Sequence, residues 1–538
     1  MNRSYRRAAV ATLTCVGLAA AATGTLASTA IAAPKQAPVT AAARAVPADF
    51  NDDGYADIAV GVPGEDIGAA TDAGSVQILY GSATGIVPSS SRTFRQGAGG
   101  VLDSPETGDH FGAAVAIGNF NGDAYADVAV GVPGEDFAGV TDAGAVQIFY
   151  GSASGITAAG NRFLSQATAG SASSPRAGDR FGTTLAAGDI AGSTQADLAV
   201  GVPYEDVGSA KDAGAVQILR GSPSGITISG DQLLTQNTAG AGDKSERGDR
   251  FGAALAIGNL GAGTKRDLAV GVPLEDVGKV VDAGAIQFFP GTTGAVTTRG
   301  DKVITQNSSG VGDKSEKGDR FGSALAVADF AGSSYKDLAV GIPYENVGKA
   351  ADAGAIALLR GTKSGLTTLH DQFISQDSKS AVDKAEKSDR FGSALAGANL
   401  TRTSKADLAV GVPLENFNGK SDAGAVQIIP GATGGLDLGH DQLIQQDLKG
   451  SDAAVETGDH FGAALGAANT IGTSFADLTV GVPYEKVGTA TAGGSVQVFQ
   501  GQSNYVTAGG DQVFTQSSAP GVSASENGDH FGAAVSAG

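Results

Sequence analysis

Two short motifs recur through this chain with a period of 70 residues. Phe-Gly begins at seven positions, which are Phe111, Phe181, Phe251, Phe321, Phe391, Phe461 and Phe531. Gly-Val-Pro or Gly-Ile-Pro begins at seven more, which are Gly61, Gly131, Gly201, Gly271, Gly341, Gly411 and Gly481. Each unit holds four short apolar runs divided by turn residues, and the run from Phe111 to Ile117 alternates as one strand would. Four strands per unit, repeated seven times, are typical of a β-propeller.

The two ends of the repeat array predict how such a ring closes. Seven units of 70 residues fill Asp49 to Gly538. The first unit lacks a Phe-Gly strand, and the chain finishes with a spare one that begins at Phe531. A linear solenoid would need atypical capping repeats instead of this offset. We therefore predict an all-β fold, a single seven-bladed β-propeller with four-stranded blades over 49–538, in which the C-terminal strand completes blade 1.

Composition narrows the class of partner. The 538 residues include 82 Gly without a three-residue period, which excludes collagen. With 36 Lys and Arg against 56 Asp and Glu, the formal net charge is −20. Nucleic acids and anionic membrane surfaces attract clustered basic residues, so we expect neither as a partner.

The N-terminal segment has the pattern of an export signal. Arg3, Arg6 and Arg7 precede a long apolar run, and Ala30-Ile31-Ala32 offers a cleavage site. We predict a signal peptide over 1–32, a linker over 33–48, secretion to the extracellular space and no membrane span after cleavage. An uncleaved anchor and a twin-arginine signal are the alternatives. Cys15 is the single cysteine, and cleavage would remove it.

The motif order resembles the FG-GAP repeats of integrin α-subunit heads and their secreted bacterial relatives. Phe-Gly is followed by an Asp-rich loop, then Ala-Asp-Leu-Ala-Val-Gly-Val-Pro, then Ala-Gly-Ala-Val-Gln-Ile, across all of 49–538. Val stands where the family name has the Ala of Gly-Ala-Pro. The resemblance implies that the Phe-Gly strand lines the central channel. It also implies calcium in the hairpin loop after that strand.

The loop of blade 1 carries oxygen ligands in alternation, as a calcium site requires. Side-chain oxygens come from Asp49, Asn51, Asp53 and Asp57, and Tyr55 could add its carbonyl. Gly54 permits a sharp turn. The loop is close to the integrin pattern D-x-D-x-D-G-x-x-D, and the alternative is a plain hairpin turn.

The loop of blade 2 is a weaker candidate for calcium. Its matching positions are Asn119, Asn121, Asp123, Tyr125 and Asp127, with two carboxylates instead of three. Ala124 replaces the glycine. Blades 3 to 7 keep only the first and last ligand positions, as in Asp189 and Asp197. We expect these survivors to accept backbone N–H bonds across the hairpin and not to hold calcium.

Acidic and histidine residues recur elsewhere in the unit. One ring of Glu follows the Gly-Val-Pro proline and one ring of Asp precedes Phe by two residues, as in Glu135 and Asp109. We interpret both rings as hydrogen-bonding groups of turns, with a cation-attracting face as the alternative. His110, His460 and His530 share one slot on neighbouring blades, where we expect them to lie too far apart for a zinc site.

The evenness of the seven repeats favours a binding protein. No G-x-S-x-G or H-E-x-x-H motif occurs in the chain. We predict a monomeric, secreted, calcium-stabilised adhesion or binding module for an extracellular protein or glycan. Its candidate loops lie opposite the calcium loops, at Pro203 to Asp212 and Thr238 to Arg250. The alternative is an extracellular hydrolase or lyase on the same scaffold.

Overall fold

A computed structural model describes residues 47–261, 263, 265–401, 403–448, 453–518 and 523–537. The predicted signal peptide and nearly all of the predicted linker lie outside these residues. Among the described residues, the only helices are three short 3-10 turns at Pro88–Ser90, Leu438–His440 and Gln516–Ser518. No helix of the described part is long and apolar enough to cross a membrane.

Seven antiparallel four-stranded sheets form the blades. Blades 1 to 4 contain β1 Ile58–Val62, β2 Ser75–Leu79 and β3 Arg92–Phe94; β4 Ala114–Gly118, β5 Asp127–Val132, β6 Ala145–Tyr150 and β7 Thr157–Leu164; β8 Thr184–Gly188, β9 Asp197–Val202, β10 Ala215–Arg220 and β11 Thr227–Leu234; β12 Ala254–Gly258, β13 Asp267–Val272, β14 Ala285–Phe289 and β15 Lys302–Ile304. Blades 5 to 7 contain β16 Ala324–Ala328, β17 Asp337–Ile342, β18 Ala355–Thr362 and β19 Gly365–Ile374; β20 Leu395–Ala398, β21 Asp407–Val412, β22 Ala425–Ile429, the small hairpin β23 Gly431–Ala432 and β24 Gly435–Leu436, and β25 Gln442–Ile444; β26 Ala464–Ala468, β27 Asp477–Val482, β28 Ser495–Gly501 and β29 Val506–Phe514. The last strand is β30 Ala534–Ser536.

The C-terminal strand closes the ring, as predicted. β30 pairs antiparallel with β1, with Gly61 opposite Ala534 and Ala59 opposite Ser536, so sheet 1 has the order β3-β2-β1-β30. The innermost strands β4, β8, β12, β16, β20, β26 and β30 each contact the next, and β30 contacts β4. The seven-bladed propeller is therefore confirmed, with the inner strands around the central channel.

The Phe-Gly pair does not begin the inner strand, contrary to our prediction. The strand of blade 2 begins three residues later, at Ala114. Phe111 instead makes an isolated parallel bridge to Gly74 of blade 1, and its fully buried ring packs edge-on to Phe149. Gly112 has φ +96°, a left-handed conformation that interrupts an extended run. Phe-Gly is thus the joint that packs one blade on the next.

Close backbone contact between blades explains the paired glycines. A Cβ on Gly61 would lie 2.0 Å from the carbonyl oxygen of Gly112, and one on Gly131 would lie 2.1 Å from that of Gly182. No side chain fits at that distance. The apolar core lies between neighbouring blades, where large side chains such as Phe149 fill the space that the small residues leave.

A glutamine at the end of each outer strand binds the ring glutamate of the next blade. Gln96 of blade 1 donates to Glu135 of blade 2 at 2.7 Å. The same contact occurs around the ring and ends with Gln516 of blade 7 donating to Glu65 of blade 1. Burial of these glutamates is therefore offset by a hydrogen bond in every blade. Our interpretation of the Glu ring as a hydrogen-bonding feature agrees with these contacts.

Candidate metal centre and the opposite face

The blade 1 loop folds around the carboxylate of Asp49. Asp49 is only 5% exposed, and its Oδ2 accepts the N–H of Gly54 at 2.8 Å. Its Oδ1 accepts the N–H groups of Asn51 at 3.3 Å and Asp53 at 3.2 Å. Gly54 has φ +92°, so the glycine that we expected for the sharp turn adopts a conformation that L-residues avoid. The loop thus wraps its backbone around the first predicted ligand.

Asn51 and Asp53 converge on the same loop. Asn51 Nδ2 donates to Asp53 Oδ2 at 2.9 Å, and the N–H of Tyr55 donates to Asp53 Oδ1 at 3.0 Å. Asp53 is exposed, whereas Asn51 and Tyr55 are half-buried. The structure therefore brings four of the five predicted blade 1 ligand residues to one turn, with one buried and one solvent-facing carboxylate.

Asp57 closes the base of the hairpin. Its Oδ2 accepts the N–H of Phe50 at 2.8 Å and its Oδ1 accepts the N–H of Gly81 at 2.9 Å. Burial raises the pKa of Asp57 to about 8, and the nearby carboxylates of Asp49 and Asp53 raise it further, against these two bonds. Equivalent Asp residues in the other six blades also bind the N–H of the glycine 24 residues later. The backbone role that we predicted for blades 3 to 7 thus extends to blades 1 and 2.

The blade 2 loop has a different interior. Asn119 Oδ1 accepts the N–H of Gly122 at 2.6 Å, and its Nδ2 donates to the carbonyl of Asp123. An amide donor therefore occupies the loop where blade 1 has only acceptor oxygens. Asn121 and Asp123 keep the side-chain contact seen in blade 1, and the N–H of Tyr125 again binds Asp123.

Asp127 has the same closing role in blade 2 as Asp57 has in blade 1. It is fully buried, and its two oxygens accept the N–H groups of Phe120 and Gly151. Burial raises its pKa to about 7. Both loops therefore keep their last acidic residue inside the hairpin.

Blade 3 shows what the interior of such a loop accepts. Lys265 of blade 4 places Nζ 2.8 Å from both carboxylate oxygens of Asp189, the first position of the blade 3 loop. The same ammonium donates to the carbonyl of Ser193. The Lys265 side chain is only 12% exposed. A positive charge thus lies against the first carboxylate of a loop that has lost its middle acidic ligands, a contact that the sequence did not reveal.

The blade 1 donor set fits a calcium ion. Asp49, Asn51, Asp53 and Asp57 offer only hard oxygen atoms, the type that calcium selects. Within the described residues, no ion pair involves Asp49, Asp53 or Asp57. Three carboxylates without a positive partner suit a divalent cation better than a plain turn does.

A belt of tyrosines and basic residues lies at the opposite end of the blades. The tyrosine that follows each alternate Gly-Val/Ile-Pro packs between two residues of the His/Arg slot. Arg180 and Arg250 lie 5.3 Å and 4.6 Å from the ring centroid of Tyr204. The other two triplets are Arg320–Tyr344–Arg390 and His460–Tyr484–His530. These nine residues are called the Tyr–Arg belt below.

The belt contains parts of both predicted binding loops. Tyr204 belongs to the loop from Pro203 to Asp212, and Arg250 ends the loop from Thr238 to Arg250. Within the described residues none of the four belt arginines forms an ion pair. His460 and His530 lie on opposite sides of one tyrosine ring, so these two do not converge on a metal. Spacing could have suggested the belt, because Tyr recurs at 204, 344 and 484.

Comparison with known proteins agrees with this architecture. The model of the FG-GAP repeat matches residues 41–79 and 111–149. This chain carries FG-GAP repeats. It is an integrin-like β-propeller related to integrin alpha chains and to phosphatidylinositol-glycan-specific phospholipase D. The family resemblance noted from the sequence is therefore confirmed.

The relatives are much longer than the matched segments. Phosphatidylinositol-glycan-specific phospholipase D of Bos taurus is 34% identical over 169 residues, which cover 31% of this chain and 19% of that protein. Integrin alpha-8 of Homo sapiens is 32% identical over 199 residues, which cover 36% of this chain and 16% of that protein. The chain thus spans about a fifth or less of these relatives' length. Among solved structures, the V. cholerae biofilm matrix protein Bap1 is 11% identical with a TM-score of 0.21, covering 88% of this chain and 80% of that chain, which supports no inference.

Proposed function

We propose that this chain is a secreted, monomeric, calcium-stabilised β-propeller that binds an extracellular protein or glycan through the Tyr–Arg belt. The observation that carries the proposal is the belt itself. It sets tyrosine faces and unpaired guanidinium groups side by side at the end of the inner strands. The chain as a whole is acidic, with a net charge of −20, so four adjacent arginines without carboxylate partners form a local exception.

The chemistry of the belt favours a ligand with both apolar faces and acidic groups. Tyrosine rings offer amphipathic area at low entropic cost. Guanidinium groups bind carboxylates in a planar, bidentate manner. Arg250 also donates to the hydroxyl of Tyr204 at 3.3 Å, which holds its guanidinium beside the ring. A carboxylate-bearing sugar or an acidic peptide segment would satisfy both parts.

Calcium serves stability in this proposal and not ligand contact. The donor set from Asp49 to Asp57 lies at the end of the blades opposite the belt, because β1 and its counterparts run from one end to the other. The ligands would be Asp49, Asn51, Asp53, the carbonyl of Tyr55 and Asp57. The corresponding blade 2 set, Asn119, Asn121, Asp123, Tyr125 and Asp127, would bind more weakly because an amide donor occupies its interior.

Export supports the same reading. The basic, then apolar, N-terminal segment has the pattern of a signal peptide, and its removal would leave a chain without cysteine. The integrin relatives are adhesion proteins by family. An extracellular hydrolase or lyase is the alternative, supported by the relatives whose name is phosphatidylinositol-glycan-specific phospholipase D.

A paired screen tests the proposal. The secreted protein is run on a glycan array and an extracellular-protein panel, and beside them on a panel of phosphodiester, glycoside and ester substrates. We expect binding without turnover, and we expect Tyr204→Ala with Arg250→Ala to abolish it. Tyr505→Ala is the matched control, since Tyr505 is 51% exposed and lies outside the belt. Turnover that one acidic substitution abolishes would favour the hydrolase.

A further inference from the structure

Two groups of carboxylates at the belt end of blades 5 and 6 stand apart from the hairpin loops. In each, one oxygen from every member lies within 4.8 Å of the others. The first acid cluster contains Glu316, Asp319 and Glu345, and the second contains Glu386, Asp389 and Glu415. Asp313 and Asp383 precede these clusters by three residues and act on the buried members electrostatically. The same spacing, D-x-x-E-x-x-D followed 26 residues later by Glu, occurs in both blades.

The buried members of the clusters have oxygens without partners. Asp319 and Asp389 are both 0% exposed, and the Oδ1 atom of each has no hydrogen bond. Their Oδ2 atoms accept the backbone N–H of Glu316 and Glu386. Gln306 and Gln376 donate only to Oε2 of Glu345 and Glu415. Buried carboxylate oxygens without donors are costly unless a cation or a proton satisfies them.

Repulsion within the clusters has the expected sign. Burial raises the pKa of Glu345 to about 8, and Asp319 contributes to that rise. Burial also raises the pKa of Glu415 to about 8, again with a contribution from the adjacent Asp389. The clusters therefore lack positive charge from the described protein.

Blade 3 supplies the positive charge that these clusters lack. Arg176 stands in the slot of Glu316, and Ser173 stands in the slot of Asp313. Arg176 Nη1 lies 3.7 Å from Glu205 Oε1, the counterpart of Glu345. Where the loop has lost two acids, a side-chain cation lies against the ring glutamate. This is a second observation, independent of the acids, that marks the position as a cation site.

We propose that each acid cluster binds one divalent cation of the calcium type. The ligands are Glu316, Asp319 and Glu345 in blade 5, and Glu386, Asp389 and Glu415 in blade 6. Oxygen-only donors suit calcium, and the exposed Glu316 and Glu386 leave an entry path from solvent. These sites lie at the belt end of the propeller and are separate from the hairpin loops.

Calcium stoichiometry tests the proposal in a background without the hairpin sites. The parent is the full chain with Asp49→Asn, Asp53→Ala and Asp123→Ala, titrated by calorimetry and by equilibrium dialysis with calcium. The derivative adds Glu316→Arg and Glu386→Arg, which copy the charge arrangement of blade 3. We expect the derivative to bind two fewer ions than the parent. Equal stoichiometry would overturn the proposal.

A reciprocal variant decides the matter if that derivative does not fold. Ser173→Asp with Arg176→Glu gives blade 3 the same four acids as blades 5 and 6, so we expect the parent to gain one bound ion. No gain in that folded variant would overturn the proposal. The hairpin sites are judged separately, because their failure would appear as equal stoichiometry in the wild type and the parent.

Discussion

The backbone N–H of Asp57 donates to the carbonyl oxygen of Ala48 at 2.8 Å. In blade 2 the corresponding residues, Asp127 and Gly118, are paired within one continuous hairpin. In blade 1 the inner strand β30 comes from the other end of the chain, so Ala48 takes the place that Gly118 has in blade 2. Ala48 is 2% exposed and packs with Ala537 in the core between blades 7 and 1. The blade 1 loop therefore begins at a discontinuity of the chain.

Calcium at this loop should hold the N-terminal end in place. Binding at a hundred times the dissociation constant would stabilise the folded form by about 2.7 kcal/mol. We expect chelation to lower the melting temperature. Asp53→Ala should remove most of that calcium effect and Asp123→Ala much less, because Asn119 fills the interior of the blade 2 loop. Melting with and without EDTA measures this, and equal losses in the two variants would contradict the chain-end role.

Removing the closing strand should open the ring. Deletion of residues 529–538 takes away β30 and the ring aspartate Asp529, which exposes the edges of β1 and β26. We expect an aggregated or protease-sensitive protein, measured by size-exclusion chromatography and limited proteolysis. The matched control removes residues 33–43, which precede the blade 1 loop, and should leave both properties unchanged. A monodisperse protein with normal melting after the C-terminal deletion would refute closure by β30.

The fold could be predicted from sequence because one period fixes seven identical units and the offset of the ends fixes closure. The start of the inner strand could not, since alternation from Phe111 to Ile117 does not show that Gly112 has φ +96°. A parallel bridge to Gly74 decides that local conformation, and it joins two blades. Local pattern fails where an inter-blade contact determines the backbone.

Site residues divide in the same way. The oxygen ligands of the blade 1 loop lie within nine residues, so their type and spacing were legible. Lys265 and Asp189 are 76 residues apart, and nothing local marks lysine as the charge partner of that loop. The Tyr–Arg belt likewise needs residues from two loops, and only the known order of blades brings them together.

Stability should depend on pH through the ring glutamates. Burial and the adjacent Asp103 carboxyl raise the pKa of Glu135 to about 9, from an ordinary 4.5. Between these values the folded chain holds a proton that the unfolded chain releases, so stability falls as pH rises, by at most about 1.4 kcal/mol per pH unit. In EDTA, Glu135→Gln should be neutral near pH 4.5 and increasingly stabilising toward pH 8. Denaturant unfolding at several pH values measures this.

Glu205 provides the comparison for that experiment. Its pKa is raised by burial but lowered by the guanidinium of Arg176, so Glu205→Gln should give a smaller gain at pH 8. Gln96 and Gln166 donate to the two glutamates at the same distance of 2.7 Å, so their hydrogen bonds are matched. A larger gain at Glu205 than at Glu135 would show that the Asp103 carboxyl does not control the titration.

Lys265 should act as the fixed cation of the blade 3 loop. Its ammonium is mostly buried and binds both oxygens of Asp189, so Lys265→Met leaves a partly buried carboxylate without a positive partner and should cost roughly 1–3 kcal/mol. Calcium should not restore that loss, because Ala191 and Ser193 stand where blade 1 has Asn51 and Asp53. Lys211→Met is the control, since Lys211 is 67% exposed in its pair with Asp206 and such pairs contribute about 0–1 kcal/mol. Chemical denaturation of both variants with and without calcium makes the comparison. Equal losses at Lys265 and Lys211, or recovery of the Lys265 variant by calcium, would show that the loop does not need a built-in cation.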